Sequence, residues 1–241
     1  MAGGTGSTGI EAVIFDWGGT LTRWHDVDFH AESLALAAAV AAEHGGDPTT
    51  HARALHQAGS VIWGRSRDHQ QSATIADLFT EAGLPHDPEL LGAYYDFWEP
   101  HTETDPEVRP MWEALRAEGI KVGVLSNTIW PRAWHQGFFD RDGVADLIDG
   151  DVYTSEIPWT KPSPRAFGAA MEAVGVSDPG ACVYVGDRLY DDVWGAQHAG
   201  MRAIHIPHSL IPAEQVGHSE GTPDAVAHSL AEIPALIAPW R

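Results

Sequence analysis

Four short apolar runs punctuate the chain, IEAVIF at 10–15, KVGVL at 121–125, ACVYV at 181–185 and RAIHI at 202–206, each beside a glycine or an aspartate. They are nearly continuous rather than alternating, which predicts strands of a parallel sheet buried on both faces. A weaker run, DVYT at 151–154, predicts a fifth strand. Helical spacing is seen between them at 110–118, at 163–174 with Gly175 as a stop, and at 191–199 leading to Gly200. Strand and helix thus alternate along the C-terminal part of the chain, predicting βαβ units and a doubly wound α/β sheet.

Residues 22–104 break that alternation. They hold helix-like stretches at 30–44, 48–63, 71–83 and 88–99 and no convincing strand. The separators are GGDP at 45–48, the polar GRSRDHQ at 64–70 and LPHDP at 84–88. The expected organisation is an α/β core of residues 1–21 plus 105–241, interrupted by a helical domain of residues 22–104. EPHTETDPEVRP at 99–110 serves as the returning hinge.

Charge then narrows the partners. The 241 residues include 34 acidic and 14 basic side chains, a formal net charge of −20. A polyanion is normally gripped by clustered Lys and Arg, so neither nucleic acid nor an anionic membrane surface is expected as a partner. Cys182 is the single cysteine, which excludes internal disulfides and Cys-rich zinc sites. The start lacks the basic and apolar regions of a signal peptide and no run approaches membrane-spanning length, so a cytoplasmic setting is the expectation. Gly4-Thr5-Gly6-Ser7-Thr8-Gly9 matches G-x-G-x-x-G, but it precedes the first strand and opens no helix, so it reads as a flexible tail. The fourteen histidines form no zinc-binding cluster beside the strand ends, and no G-x-S-x-G elbow is present.

The chemistry-bearing residues follow the strands. Phe15-Asp16-Trp17-Gly18-Gly19-Thr20 ends the first run, Leu125-Ser126-Asn127 the second, and Gly186-Asp187 the run at 181–185, with Asp191 and Asp192 close behind; Lys161-Pro162 follows the weak run. In an open parallel sheet, ligands bind beyond the carboxyl ends of the strands, where all of these fall. The chain holds only two lysines, Lys121 before a strand and Lys161 at a strand end. An acidic protein that places one of two lysines there points to a function for it.

DWGGT at 16–20, LSN at 125–127, KP at 161–162 and GDRLYDD at 186–192, in this order, resemble the four motifs of the haloacid dehalogenase-like superfamily of hydrolases. The resemblance covers nearly the whole chain and implies that residues 22–104 form a helical cap of the kind inserted after the first motif. It further implies a nucleophilic Asp16, which is ionised at pH 7 without help. Thr20 orients it, Lys161 is set against both Asp16 and a phosphate, and the Ser126 hydroxyl and Asn127 backbone N–H bind phosphoryl oxygens. Mg²⁺, an oxygen-seeking cation, is implied at Asp16, a backbone carbonyl near Gly18, Asp187 and Asp192, with Asp191 the fallback for the last. In such caps the surface over the nucleophile selects substrate, which makes Arg65 and Arg67 candidate substrate contacts, with Arg23 and Trp24 of similar standing. Trp63, Trp98, Tyr94 and Tyr95 read as cap core rather than ligand platforms.

One position departs from the family. Its phosphatases carry a second aspartate two residues after the nucleophile to protonate the leaving group, and here that residue is Gly18. General acid–base help is worth about 10²–10⁴ in rate. A carbon–phosphorus hydrolase of the phosphonatase type tolerates the loss but needs a cap lysine, and residues 22–104 contain none. A 2-haloacid dehalogenase also tolerates it, since halide leaves without a proton, but it leaves Asp187 and Asp192 unexplained. The leading expectation is a Mg²⁺-dependent phosphatase of a small phosphorylated metabolite, with His25 (or Asp26 or Asp28 beside it) as a replacement proton donor. A weakly active or inactive ligand-binding relative is the further alternative.

Overall fold

The computed structural model describes residues 9–24, 27–211 and 217–241. His25, Asp26 and the glycine-rich start through residue 8 therefore lie outside the described residues. Six parallel strands form one sheet: β1 (Ala12–Phe15), β2 (Lys121–Ser126), β3 (Gly150–Tyr153), β4 (Cys182–Gly186), β5 (Arg202–His205) and β6 (Ala225–Val226), in spatial order β3-β2-β1-β4-β5-β6. The chain reverses its direction of travel across the sheet between β1 and β4. That switch point opens a crevice at their carboxyl ends.

The apolar runs are continuous because both faces of the sheet are covered. From β1, Val13 and Phe15 pack into one apolar cluster and Ala12 and Ile14 into another. The first cluster takes in α5 (Val108–Ala117) and α9 (Ile233–Ile237), and the second takes in α7 (Pro164–Ala173) and α8 (Gly195–His198). Register is strict: Val13 sits beside Val122 on one side and Val183 on the other.

Between β1 and β2 lies the helical insertion, α1 (Phe29–His44), α2 (Pro48–His69), α3 (Ile75–Ala82) and α4 (Gly92–Trp98). Local chemistry sets its boundaries. Asp28 caps α1 by accepting from the backbone of His30 and Ala31, Asp47 caps α2 ahead of Pro48, and Thr74 with Asp77 forms a capping box on α3. Leu36, Val40, Leu55, Ile62 and Phe79 build the insertion's own apolar interior, continuous with the sheet's first cluster.

Several expectations are corrected. The polar stretch 64–70 is not a breaker: α2 runs through it to His69 and stops only at Gln70, whose φ of 54° turns the chain. One face of it, Ala52, Leu55, Ala58, Ile62 and Ser66, is buried, so tertiary packing carries the helix past its polar residues. The predicted helix at 71–83 starts at Ile75, and the one at 191–199 divides into a π-helical turn, Leu189–Trp194, followed by α8. Trp63, expected in the core, is 45% exposed, whereas Tyr94 and Trp98 are buried. The pattern reading lacked α6 (Arg132–Arg141), β6 and α9 altogether. No helix among the described residues is long and apolar enough to cross a membrane.

Phe15 has no solvent exposure and its ring lies 6.0 Å from that of Trp112. Phe15→Ala is expected to lower stability by about 3–5 kcal/mol, measured as a fall in the urea midpoint with unchanged m-value.

Candidate functional site

β1, β2 and β4 end at the same crevice, and their next residues meet there with Lys161. The Lys161 Nζ donates to Asp16 Oδ1 at 2.6 Å, Asp192 Oδ1 at 2.7 Å and the Tyr184 hydroxyl at 3.0 Å. The four side chains are buried. Burial disfavours the ammonium, but Asp16 and Asp192 more than offset this and hold the Lys161 pKa well above its ordinary value. Burial pushes the Asp16 pKa up to about 6 against the pull of Lys161, so the carboxylate remains mostly ionised at pH 7.

Neighbouring chain segments fix each participant. The Asn127 side chain grips the backbone of Lys161 from both sides, its Nδ2 donating to the carbonyl and its Oδ1 accepting from the amide at 2.8 Å. The preceding residue is held from the helical insertion: the Ser66 hydroxyl donates to Thr160 Oγ1, and the Thr160 amide donates to the Gln70 carbonyl. Gln71 bridges Trp159, and Ser72 donates to the Ile157 carbonyl. The C-terminal end of α2 is thereby docked on the segment that delivers Lys161. Asp192 rides on the π-helical turn, a feature often met at functional sites. Its Oδ2 accepts from the Arg188 amide, and a Cβ on Gly186 would lie 2.3 Å from its carboxyl carbon. Only glycine at 186 leaves room for it.

Asp187 is the unbalanced member. Both of its carboxylate oxygens are buried and neither has a hydrogen-bond partner among the described residues. Burial, then the nearby Asp16 carboxylate, drive its pKa well above the ordinary range. One oxygen from each of Asp16, Asp187 and Asp192 lies within 4.8 Å of the others. Buried charge without a partner is costly, and three carboxylates against the Lys161 ammonium and the nearby Arg188 guanidinium still leave an excess that a divalent cation with oxygen ligands would neutralise. The donor set and the orphaned oxygens of Asp187 fit such an ion.

Of the residues expected from sequence, Asp16, Lys161, Asp187 and Asp192 come together, with Asp192 rather than Asp191 in contact with Lys161. Ser126 is buried at the end of β2, and the Thr20 hydroxyl lies 3.5 Å from Asp16 Oδ2. Gly18 bridges Thr22 in the loop after β1. Arg65 and Arg67 do not join this cluster: Arg65 pairs with Glu81 at 2.8 Å and Arg67 with adjacent Asp68 at 2.7 Å, both side chains about half exposed at 47% and 54%. Asp28 is committed to capping α1. Arg23 pairs with Asp105.

Three contributors escaped the sequence reading. Tyr184 relays between Lys161 and the Leu125 carbonyl, and the signal was available, since a tyrosine in a strand buried on both faces must partner its hydroxyl. The Asn127 side chain acts as a clamp on Lys161. His208 Nε2 donates to the carbonyls of Gly19 and Thr20, pinning the loop after β1 from β5's side; burial lowers its pKa, consistent with a neutral ring. No periodicity reports the last two contacts.

Comparison with known proteins accords with this geometry. The family model described as haloacid dehalogenase-like hydrolase matches residues 10–200. The chain is 27% identical over 219 residues to the glyceraldehyde 3-phosphate phosphatase of Methanopyrus kandleri, covering 89% of this chain and 91% of that protein. It is 26% identical over 209 residues to the phosphonoacetaldehyde hydrolase of Bordetella pertussis, covering 82% and 72%. Among solved structures, the 2-haloacid dehalogenase of Pseudomonas syringae pv. Tomato DC3000 superposes with a TM-score of 0.65 at 26% identity, covering 96% and 100%.

Asp187→Asn replaces a buried carboxyl group, whose raised pKa costs stability above the ordinary carboxylate range, by a neutral group of the same shape. In EDTA the variant is expected to melt several degrees above the parent, at about 2–4 °C per kcal/mol for a chain of this size, by differential scanning calorimetry. A lower melting temperature in EDTA would contradict the charge excess. A Cβ on Gly19, whose φ is 92°, would fall 2.1 Å from Asp187 Oδ2; Gly19→Ala is expected to displace Asp187 and to abolish that gain in a Gly19→Ala/Asp187→Asn double variant.

Proposed function

Because the chain belongs to the haloacid dehalogenase-like hydrolases, we propose that it is a Mg²⁺-dependent phosphatase of a small phosphorylated metabolite that reacts through an aspartyl-phosphate at Asp16. The observation that carries this reading is Asp187, whose two buried, unpartnered oxygens stand beside Asp16 and have no role without a cation. Relatives named as a glyceraldehyde 3-phosphate phosphatase and a phosphonoacetaldehyde hydrolase support phosphoryl chemistry. The absence of any lysine in residues 22–104 argues against a Schiff-base route on the second pattern.

In this reading residues 1–21 plus 105–241 are the catalytic core and residues 22–104 the cap. Asp16 Oδ1 is held by Lys161, which leaves Oδ2, 3.5 Å from the Thr20 hydroxyl, as the attacking oxygen. The Lys161 ammonium screens the nucleophile from the incoming phosphate. The Ser126 hydroxyl and the Asn127 backbone N–H hold phosphoryl oxygens. Mg²⁺, held by Asp16, Asp187, Asp192 and the Gly18 carbonyl, supplies charge neutralisation for the phosphoryl group when bound. Docking of α2 on residues 157–160 ties closure of the cap to the placement of Lys161 and keeps water out of the site.

The second reading, a 2-haloacid dehalogenase, draws on the Pseudomonas syringae neighbour and on Gly18, since halide departs without a proton. It assigns nothing to Asp187.

Phosphate release from p-nitrophenyl phosphate is expected in Mg²⁺ and lost with EDTA or in Asp16→Asn, while 2-chloropropionate yields no chloride. Ligand binding without turnover would favour a regulatory relative instead. Millimolar Mg²⁺ is expected to raise the parent's melting temperature and to leave Asp187→Asn unmoved. His25→Gln is expected to leave turnover within about twofold if leaving-group protonation is dispensed with, and to lower it by about 10²-fold or more if His25 supplies the proton.

A further inference from the structure

The end of β5 reaches both loops that carry the unbalanced carboxylates. His205 is the last residue of β5 and lies beside Gly186 in the register with β4. From there its Nε2 donates to the Asp187 carbonyl at 2.9 Å. Three residues on, His208 Nε2 donates to the carbonyls of Gly19 and Thr20 at 3.1 and 3.0 Å. A carbonyl oxygen only accepts, so each Nε2 carries its hydrogen. The segment between the two rings is anchored. Ile206 is fully buried and its amide donates to the Gly186 carbonyl at 3.0 Å, while the His205 carbonyl accepts from the amide of Ala227, next to β6. Ser209 Oγ accepts from the Trp24 amide at 2.5 Å, and a Cβ on Gly18 would lie 3.6 Å from the Trp24 ring.

These contacts complete the turn after β1. The Trp17 carbonyl accepts from the amides of Thr20, Leu21 and Thr22, the Leu21 carbonyl from Asp105 and the Thr22 carbonyl from Gly19. With Gly19 and Thr20 taken by His208, the Gly18 carbonyl is left over among the described residues. The same contacts oppose a specific force. Oxygens of Asp16, Asp187 and Asp192 lie within 4.8 Å of one another, and like charges that close push apart. Lys161 draws Asp16 and Asp192 inward. Asp187 is gripped through its own carbonyl by His205, and the loop after Asp16 by His208. Two donors on one short, anchored segment thus keep the two loops from spreading.

We infer that His205 and His208 are positioning residues that hold the Asp16 and Asp187 loops at a fixed spacing and thereby set a preference for Mg²⁺ over Ca²⁺. This rests on the metal-dependent reading above. Mg²⁺ demands near-ideal octahedral geometry, whereas Ca²⁺ accepts more ligands at longer and more variable distances. A rigid cluster therefore favours the first ion and a slack one admits the second. Each histidine acts through backbone carbonyls and touches neither cation nor substrate. Such outer partners orient the groups that bind a metal, and their loss is felt as lost affinity.

The test is the pair of dissociation constants for Mg²⁺ and Ca²⁺, each added alone to the whole chain and followed by calorimetric titration, with Asp187→Asn as blank. Gln sets an amide nitrogen as many bonds from the backbone as His Nε2 and donates from it; Asn falls one bond short, and Met keeps the length of Gln without a donor. The parent is expected to bind Mg²⁺ more tightly than Ca²⁺. His205→Met, His208→Met and the corresponding Asn variants are expected to bind Mg²⁺ about 10- to 100-fold more weakly, with Ca²⁺ affected much less. His205→Gln and His208→Gln are expected to keep the parent's ratio of the two constants. That ratio does not move with the fraction of folded protein, and circular dichroism checks the fold of each variant. Should a Met variant fail to fold, Asn against Gln at the same position decides. Folded Met or Asn variants with the parent's ratio, Gln variants as impaired as Met, or a parent that takes Ca²⁺ as tightly as Mg²⁺ overturns the inference and leaves the phosphatase standing. A parent that binds neither cation overturns the metal-dependent reading and the inference with it.

Discussion

A single ammonium inside a ring of acid groups is the constraint on which this structure turns. Lys161 is removed from water and touches Asp16, Asp192 and Tyr184 at hydrogen-bond distance. An ion so buried is tolerated only when geometry is good and remaining donors are satisfied. All three of its donor contacts go to groups that are themselves anchored: Asp192 to the Arg188 amide, Tyr184 to the Leu125 carbonyl, Asp16 to the end of β1. The sheet supplies those anchors, because β1 and β4 are adjacent and in register, and their carboxyl ends open on one crevice.

The same ammonium leaves the charge balance incomplete. Asp187 lies beside Asp16 with both oxygens unpaired, and Gly19 and Gly186 are shaped to let carboxylates approach this closely. The loop after β1 is thus a place where the fold accepts electrostatic cost. His208 holds two of its carbonyls and Trp24 covers its glycines, so the loop is stiffened from outside the cluster it serves.

Position of the helical insertion is coupled to this centre through backbone and hydroxyl groups rather than through charged side chains. Ser66, Gln70, Gln71 and Ser72 meet residues 157–160 immediately before Lys161. Asn127 then fastens Lys161 itself. A displacement of the end of α2 would be felt one residue from the ammonium. Beyond it, an aromatic layer of Trp17, Trp130, Trp134, Tyr94, Tyr95 and Trp98 joins the loop after β1 to α4 and α6.

The parallel sheet was legible in the chain because strands covered on both faces carry near-continuous apolar runs, as β1 and β4 do throughout and β2 and β5 do at residues 122–125 and 203–204. The motif residues at their ends were legible because short polar strings after apolar runs have one place to go in such a sheet. The helices of the insertion were legible as helix-like stretches between breakers such as GGDP at 45–48, whereas the start of α3 is set by the Thr74–Asp77 capping box, inside the stretch that the pattern made helical. What lay beyond the sequence were features settled by distant contacts. The length of α2, the surface pairing of Arg65 with Glu81, the clamp of Asn127 on Lys161 and the closeness of Trp24 to Gly18 each join residues that local pattern does not relate. Sequence by itself determined which chemical groups stand at the strand ends, since backbone periodicity is a local property; tertiary structure alone decided which of them touch, since burial and pairing of charge depend on what the rest of the chain brings alongside.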